Sequence, residues 1–280
     1  MSFREYATPF AMLHAASLLS HRSRIRKFHE AIHKVVKNDD YVIDIGTGSG
    51  ILAILAAKQG ARVTAIDVNR ESLTYAKHAA RKNGVEENIE FVHSHFADFS
   101  PAEHADVVMC EMLSSFMLVE QQIAASNYAV ENLLKPSGRI IPEEVSIYAC
   151  PVQNDILWER FEIEGLSFPR VIQTTELGQN TDLADLSELA VFNLRIPNPD
   201  AIVDKQIKFT FCQSGSVHGL AGMFEARLVD DLILTMEDGW KELFMPLVKP
   251  IEAKTSKSLI VRVSFRPGEF DSLVLEILQD

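Results

Sequence analysis

The chain has 280 residues, of which 47% are hydrophobic, and carries a net charge of −12. That length and composition suit one large or two ordinary globular domains with a sizeable core, and no apolar run approaches the roughly 18 residues of a membrane span. The acidic balance argues against a nucleic-acid partner, which needs a basic surface, and suits a cationic one.

The start, MSFREYATPF, lacks the charged-then-apolar plan of a signal peptide. Cys110, Cys150 and Cys212 are scattered and without CxxC spacing, so neither a disulfide framework nor a zinc site is indicated. A cytoplasmic protein with no metal site and no membrane or nucleic-acid partner is expected.

Thr8–Val36 reads as one or two helices, with Thr8 as N-cap and Pro9 at the first helical position. Its stretch from Ser20 to Lys34 is basic (His21, Arg22, Arg24, Arg26, Lys27, His29, His33, Lys34) and suits a solvated face. Next, Tyr41–Ile45 is a short apolar run fit for a buried parallel strand. Gly46, Gly48 and Gly50 follow at alternate positions, where a strand turns sharply into a helix. Ile51–Lys58 has helical period, Gly60 suits its stop, and Arg62–Asp67 returns as a strand, completing a βαβ unit.

A dinucleotide fingerprint, G-x-G-x-x-G, needs a third glycine where this chain has Ile51. The pattern is D-x-G-x-G-x-G, from Asp44 to Gly50. Asp67, 23 residues after Asp44, ends the second strand and is placed to accept ribose hydroxyls. The spacing resembles motif I of the class I S-adenosylmethionine (SAM) methyltransferases, in which the glycines admit the methionine and ribose of SAM.

Further along, Arg70–Lys82 reads as a helix closed by Asn83-Gly84. Ile89–His93 and Ala105–Cys110 are strands, about Met117–Leu134 is a helix ended by Pro136 and Gly138, and a fifth strand starts at Arg139. Alternating units give a doubly wound, Rossmann-like parallel sheet, with ligands beyond the carboxyl ends of its strands. The loop Ser94–Asp98 should line the adenine, with Phe96 as a wall.

Near Pro142 the pattern changes to antiparallel β, a sandwich or barrel, with segments Val145–Val152, Ile207–Gln213, Glu225–Leu234, Ser258–Phe265 and Leu273–Leu278. Asp155–Leu189 reads as an insertion at about 155–189. Two domains result, 1–142 and 143–280.

Past the fourth strand, CEMLSSFMLVE sets Glu111 and Glu120 nine residues apart. Two carboxylates together are costly unless a cation lies between them. A guanidinium, with planar donors, fits that need.

Here the chain resembles the protein arginine methyltransferases over most of its length. Glu111 and Glu120 match their double-glutamate loop. VHGLAGMFEARL (Val217–Leu228) is similar to a barrel strand pair, and GWKELFMPL (Gly239–Leu247) to their Thr-His-Trp loop with Trp240 in the tryptophan place. Arg24 falls near an arginine that serves the SAM carboxylate. The resemblance implies a SAM cofactor held by Arg24, Asp44, Gly46, Thr47, Gly48, Gly50, Asp67, Val68, His95, Phe96 and Glu111. It implies an acceptor held by Glu111, Glu120 and Trp240, with Glu111 and Glu120 catalytic, and it admits a homodimer.

The chain also departs from that family. The Thr-His-Trp histidine is Gly239, the aspartate that would pair with it falls near His21, and a Tyr-Phe-x-x-Tyr helix is reduced to Tyr6 with Phe3 and Phe10. Met112-Leu113 stands for Trp-Met, and the segment near Asp155–Leu189 is short beside the family's dimerisation arm. SAM-dependent N-methylation of arginine in a protein is the reading preferred. A small-molecule or other amine methyltransferase, and a non-catalytic SAM-binding scaffold, stay open. A nucleic-acid enzyme would carry Asn/Asp-Pro-Pro-Tyr where this chain has Cys-Glu-Met-Leu.

Overall fold

A computed structural model describes residue 16 and residues 18–279. The proposed cap at Thr8-Pro9 and the aromatic group Phe3, Tyr6 and Phe10 lie outside the described residues.

Helix α1 (Arg22–Val35) buries Phe28, Ala31, Ile32 and Val35 on one face. It leads into strand β1 (Tyr41–Ile45), buried at every position. Helix α2 (Ile51–Lys58) is apolar nearly all round and buries Leu52, Ala53, Ile54, Ala56 and Ala57. Strand β2 (Arg62–Asp67), helix α3 (Arg70–Lys82), strand β3 (Ile89–His93) and strand β4 (Ala105–Cys110) follow at the predicted positions. The stops behave as read: Gly60 and Gly84 take φ of +92° and +67°, which release the chain from α2 and α3.

Two expectations fail at the next crossover. Helix α4 spans only Gln122–Tyr128 and ends in a wider π turn, Ala129–Leu133. Residues 117–121 belong instead to the preceding loop. Strand β5 (Leu134–Ile141) begins five residues before Arg139 and includes Pro136. Its pairing with β4 jumps from Leu134 to Arg139, because Pro136 has no N–H to give the ladder and the intervening residues bow outward. The parallel sheet has the order β3-β2-β1-β4-β5.

After Pro142 come β6 (Glu144–Gln153), the short helix α5 (Asp155–Glu159), β7 (Glu162–Ile163), β8 (Leu166–Ser167), β9 (Gln173–Thr175) and β10 (Thr181–Asp182). Then follow β11 (Ser187–Asn193), β12 (Val203–Thr210), β13 (Gly215–Val229), β14 (Leu232–Leu234), β15 (Glu242–Ala253), β16 (Ser258–Phe265) and β17 (Val274–Gln279). They form a seven-stranded antiparallel sheet, β10-β6-β13-β15-β9 with β11 on β6 and β14 on β13, a three-stranded one, β12-β16-β17, and a two-stranded one, β7-β8. An isolated bridge, Ala184 to Phe211, links the end of the β10 region to that of β12. β9 and β10, both inside the segment read as an insertion, form the two ends of the main strand path.

Three further boundaries differ. Val217–Leu228, likened to a strand pair, is one continuous strand with a pairing irregularity between Val217 and Gly219. Glu225–Leu234 is not one segment, since Asp230 takes φ +51° and turns β13 into β14. Ile207–Gln213 is displaced to Val203–Thr210. Among the described residues, no helix is long and apolar enough to cross a membrane.

Candidate active site

A cavity of about 850 Å³ opens beyond the carboxyl ends of β1, β2, β3 and β4 and reaches the turn before β15. That volume is within the usual range for a small-molecule site. Its walls come from α1, from the four loops that follow those strands, and from residues 236–243 of the antiparallel half.

At one end stands the glycine turn. Gly46, Gly48 and Gly50 take φ of +72°, +52° and +80°. At Gly50 there is also no room: a Cβ there would lie 2.8 Å from that of Ala76 in α3. Gly50 therefore lets α2 start against α3, behind the cavity wall rather than on it.

Asp44 is buried and accepts a hydrogen bond from Thr47 Oγ1 at 2.6 Å. Burial pushes its carboxyl up to about 7; the Thr47 bond opposes this, while the charges of Asp67 and Glu111 add to it. Asp67 accepts from the backbone N–H of Gly48 and of Asn69, each at 2.8 Å. Burial raises its pKa and those two donors resist. Asn69 caps α3 by accepting from Glu71 N and Ser72 N.

Val68, His95 and Phe96 complete this end. His95 Nδ1 accepts from Ala97 N at 3.2 Å. The rings of His95 and Phe96 lie 4.3 Å apart, and Tyr128 backs Phe96 at 5.9 Å. The donor set fits SAM: an acidic acceptor for hydroxyl groups (Asp67), aromatic walls nearby (His95, Phe96), and backbone laid close by glycines.

The acidic loop Glu111–Gln121 forms the other end. Arg24, buried on α1, forms an ion pair with Glu111. Its guanidinium lies 4.3 Å from the centre of the Trp240 ring. Trp240 Nε1 donates to Leu113 O at 3.1 Å, tying that ring to the acidic loop. The expectation of a solvated basic face holds for Arg22, Arg26 and His29, which are exposed, and fails for Arg24.

Glu120 faces the same space. Burial raises its carboxyl to about 8, the neighbouring Glu111 adds to the shift and Arg24 opposes it. The chain returns Glu120 to this place through two successive left-handed residues, Phe116 at φ +63° and Met117 at φ +52°. Each such residue costs about 1–3 kcal/mol and must be held by its surroundings.

The structure thus gathers Arg24, Asp44, Gly46, Thr47, Gly48, Asp67, Val68, His95, Phe96, Glu111, Glu120 and Trp240 around one cavity. Residues missed by the sequence reading support it. Buried Gln122 accepts from Met112 N at 2.8 Å and fixes the residue after Glu111. Buried Asp238 accepts from Ser23 Oγ at 2.6 Å, Lys27 Nζ at 2.7 Å and Thr235 N at 2.9 Å, joining α1 to the turn before Trp240. A Thr-x-x-Asp capping pattern at Thr235–Asp238 was the available signal for it.

A sequence profile of the ribosomal protein L11 methyltransferase (PrmA) family matches residues 29–145. An uncharacterized protein of Methanocaldococcus jannaschii is 40% identical over 127 residues, 45% of this chain and 49% of its own length. Protein arginine N-methyltransferase 2 of Dictyostelium discoideum is 28% identical over 66% of this chain and 36% of its own. A rice protein arginine N-methyltransferase, PRMT10, is 30% identical over 58% and 43%. The matches span half or less of each relative's length. Among solved structures, the Trypanosoma brucei PRMT1 enzyme–prozyme heterotetramer with AdoHcy superposes with a TM-score of 0.80 at 20% identity, over 93% of this chain and 91% of that one. The chain is thus similar to the PrmA methyltransferases over residues 29–145 and to protein arginine N-methyltransferases over part of its length, and it shares the fold of the solved neighbour.

Proposed function

We propose that this chain transfers a methyl group from SAM to a guanidinium nitrogen of arginine in a protein. The observation that carries this reading is the company kept by Arg24. The acidic loop already holds one guanidinium, against Glu111 and over Trp240, with Glu120 beside it. An acceptor arginine needs the same chemistry, a planar carboxylate partner and an aromatic face.

SAM, when bound, supplies an electrophilic methyl group on a positively charged sulfur. The chain's own residues do the rest. Asp67 and the glycine turn bind the ribose end, and Arg24 offers a cation for a carboxylate. Arginine is effectively always protonated, so its lone pair becomes available only as a proton leaves. Glu111 and Glu120 hold the guanidinium, offset its repulsion from the sulfonium and polarise its N–H bonds. Most of the acceleration would come from positioning, worth up to about 7–11 kcal/mol.

The same proposal takes 1–142 as the SAM-binding domain and 143–280 as a barrel-like acceptor domain. It also includes self-association in a cytoplasmic setting; the solved neighbour is itself a heterotetramer. Incubation with labelled SAM and an arginine-bearing peptide, followed by location of the label, tests the acceptor. Label on a guanidinium nitrogen supports the reading. Label only on a small amine replaces arginine with the amine alternative, and no transfer at all leaves a SAM-binding scaffold.

A further inference from the structure

The acidic loop reverses direction at Phe116 and Met117, two bulky residues in a backbone region that such side chains avoid. Nothing local favours this, so the hold must come from elsewhere in the chain. Both side chains are fully buried. The Phe116 ring stacks on Phe265 of β16, with centroids 4.8 Å apart and planes 25° from parallel.

Its other neighbour is Gly222, in the middle of β13. A Cβ at Gly222 would lie 2.5 Å from Phe116 Cδ2 and 2.9 Å from Cγ, closer than real side chains approach. Strands β6 and β15 pair with β13 on both sides at Gly222, opposite Ala149 and Leu243, so the strand cannot retreat. The absent side chain at Gly222 is therefore the slot into which Phe116 fits.

Two backbone ties complete the reversal. Met117 O accepts from Gly268 N at 2.9 Å. Ser114 Oγ accepts from the N–H of Val119 at 3.2 Å and of Glu120 at 3.1 Å. With the ring seated and these bonds made, Glu120 has little choice of position.

We propose that Gly222 and Phe265 are positioning residues for Glu120, acting through Phe116. Their importance for catalysis rests on Glu120 being an acceptor-side carboxylate, but the placement is testable without any methyl transfer.

The charged and titratable groups that act on Glu120 are Glu111 and Arg24, and the Cys110 thiol senses its charge. Carbon NMR of the Glu120 carboxyl, assigned with Glu120→Gln, follows its titration in the native chain, in Gly222→Ala and in Phe265→Leu. In native protein the midpoint should fall near 8. In each variant that keeps native circular dichroism, the midpoint should drop by about one pH unit or more as Glu120 leaves its half-buried place beside Glu111. Phe265→Leu loosens the stack without adding an atom to the slot, so it decides the question if Gly222→Ala does not fold. A native midpoint in a folded variant overturns the proposal.

A second measurement is turnover on an arginine peptide. The variants should lose about tenfold or more in kcat, with SAM affinity changed by less than about twofold. Variants with native kcat overturn the positioning role. If the native chain has no turnover on arginine, the acceptor assignment fails, and the titration still decides whether Gly222 and Phe265 place Glu120.

Discussion

The imidazole of His21 stands where a side chain at position 239 would be. A Cβ on Gly239 would lie 2.2 Å from His21 Nδ1 and 2.6 Å from its Cγ. Both residues line the cavity, beside Arg24 and Trp240. In the resemblance drawn from the sequence, residue 239 is where a histidine was expected and residue 21 is near the place of its carboxylate partner. The ring comes here from the opposite side, from the residue that precedes α1.

If His21 serves the reaction, His21→Ala should slow transfer to the acceptor. An unchanged rate in His21→Ala would make His21 a space-filling residue. Gly239→Ala is expected to be disruptive in either case, since it drives a methyl into the ring and places alanine at φ +118°.

Asp67→Ala should weaken SAM by about 1.5–3 kcal/mol in calorimetry, the range for hydrogen bonds to a charged group. S-Adenosylhomocysteine should bind and NAD should not. Because Asp67 also accepts from Gly48 N and Asn69 N, Asp67→Asn is the gentler companion. Tight NAD binding, or full SAM affinity in Asp67→Ala, would show the glycine turn misread.

Glu120 should make the ligand-free protein less stable as pH rises. Its folded pKa of about 8 lies above the ordinary 4.5. Between those values the folded state binds more protons than the unfolded one, so raising the pH through that window costs stability. One proton over one pH unit is worth about 1.4 kcal/mol, or about 3–5 °C in melting temperature for a chain of this size, as an upper bound. Asp44 acts in the same direction up to about 7. Thermal melts from about pH 5 to 8 should fall in native protein and fall less steeply in Glu120→Gln. Parallel curves would contradict the half-buried position of Glu120 beside Glu111.

The same proton should couple to the acceptor. A guanidinium binds the ionised carboxylate, so its arrival must displace a proton from Glu120 below about pH 8. KM for an arginine peptide should improve as pH rises towards 8.5, about tenfold per unit at most if a single proton leaves. A KM that does not change with pH would remove Glu120 from acceptor binding.

Much of the parallel half was legible because local and global signals agree there. Tyr41–Ile45, Ile51–Lys58, Arg62–Asp67, Arg70–Lys82, Ile89–His93 and Ala105–Cys110 stand where the sequence put them. Glycines or an Asn-Gly pair mark their ends, and a hydrophobic period marks their faces. The loop after β4 was legible in its chemistry and not in its path. Its two glutamates were visible, but the reversal at Phe116–Met117 depends on Gly222 and Phe265, more than a hundred residues away. From composition alone Arg24 reads as part of a solvated basic stretch, because its partner, Glu111, is 87 positions on; only the family resemblance set it at the site. In the antiparallel half, β15 was missed as a strand because Pro246 and Pro250 interrupt its pattern.

The most direct test is turnover by Glu111→Gln and Glu120→Gln on an arginine peptide. These changes keep shape and remove charge. Each should lower kcat by at least about 10²-fold, comparable to losing one preorganised electrostatic group. Glu120→Gln should leave SAM affinity nearly unchanged, and the double variant should lose less than the two single losses combined, because both residues grip one guanidinium. Folded variants that methylate arginine at near-native rates would contradict the account.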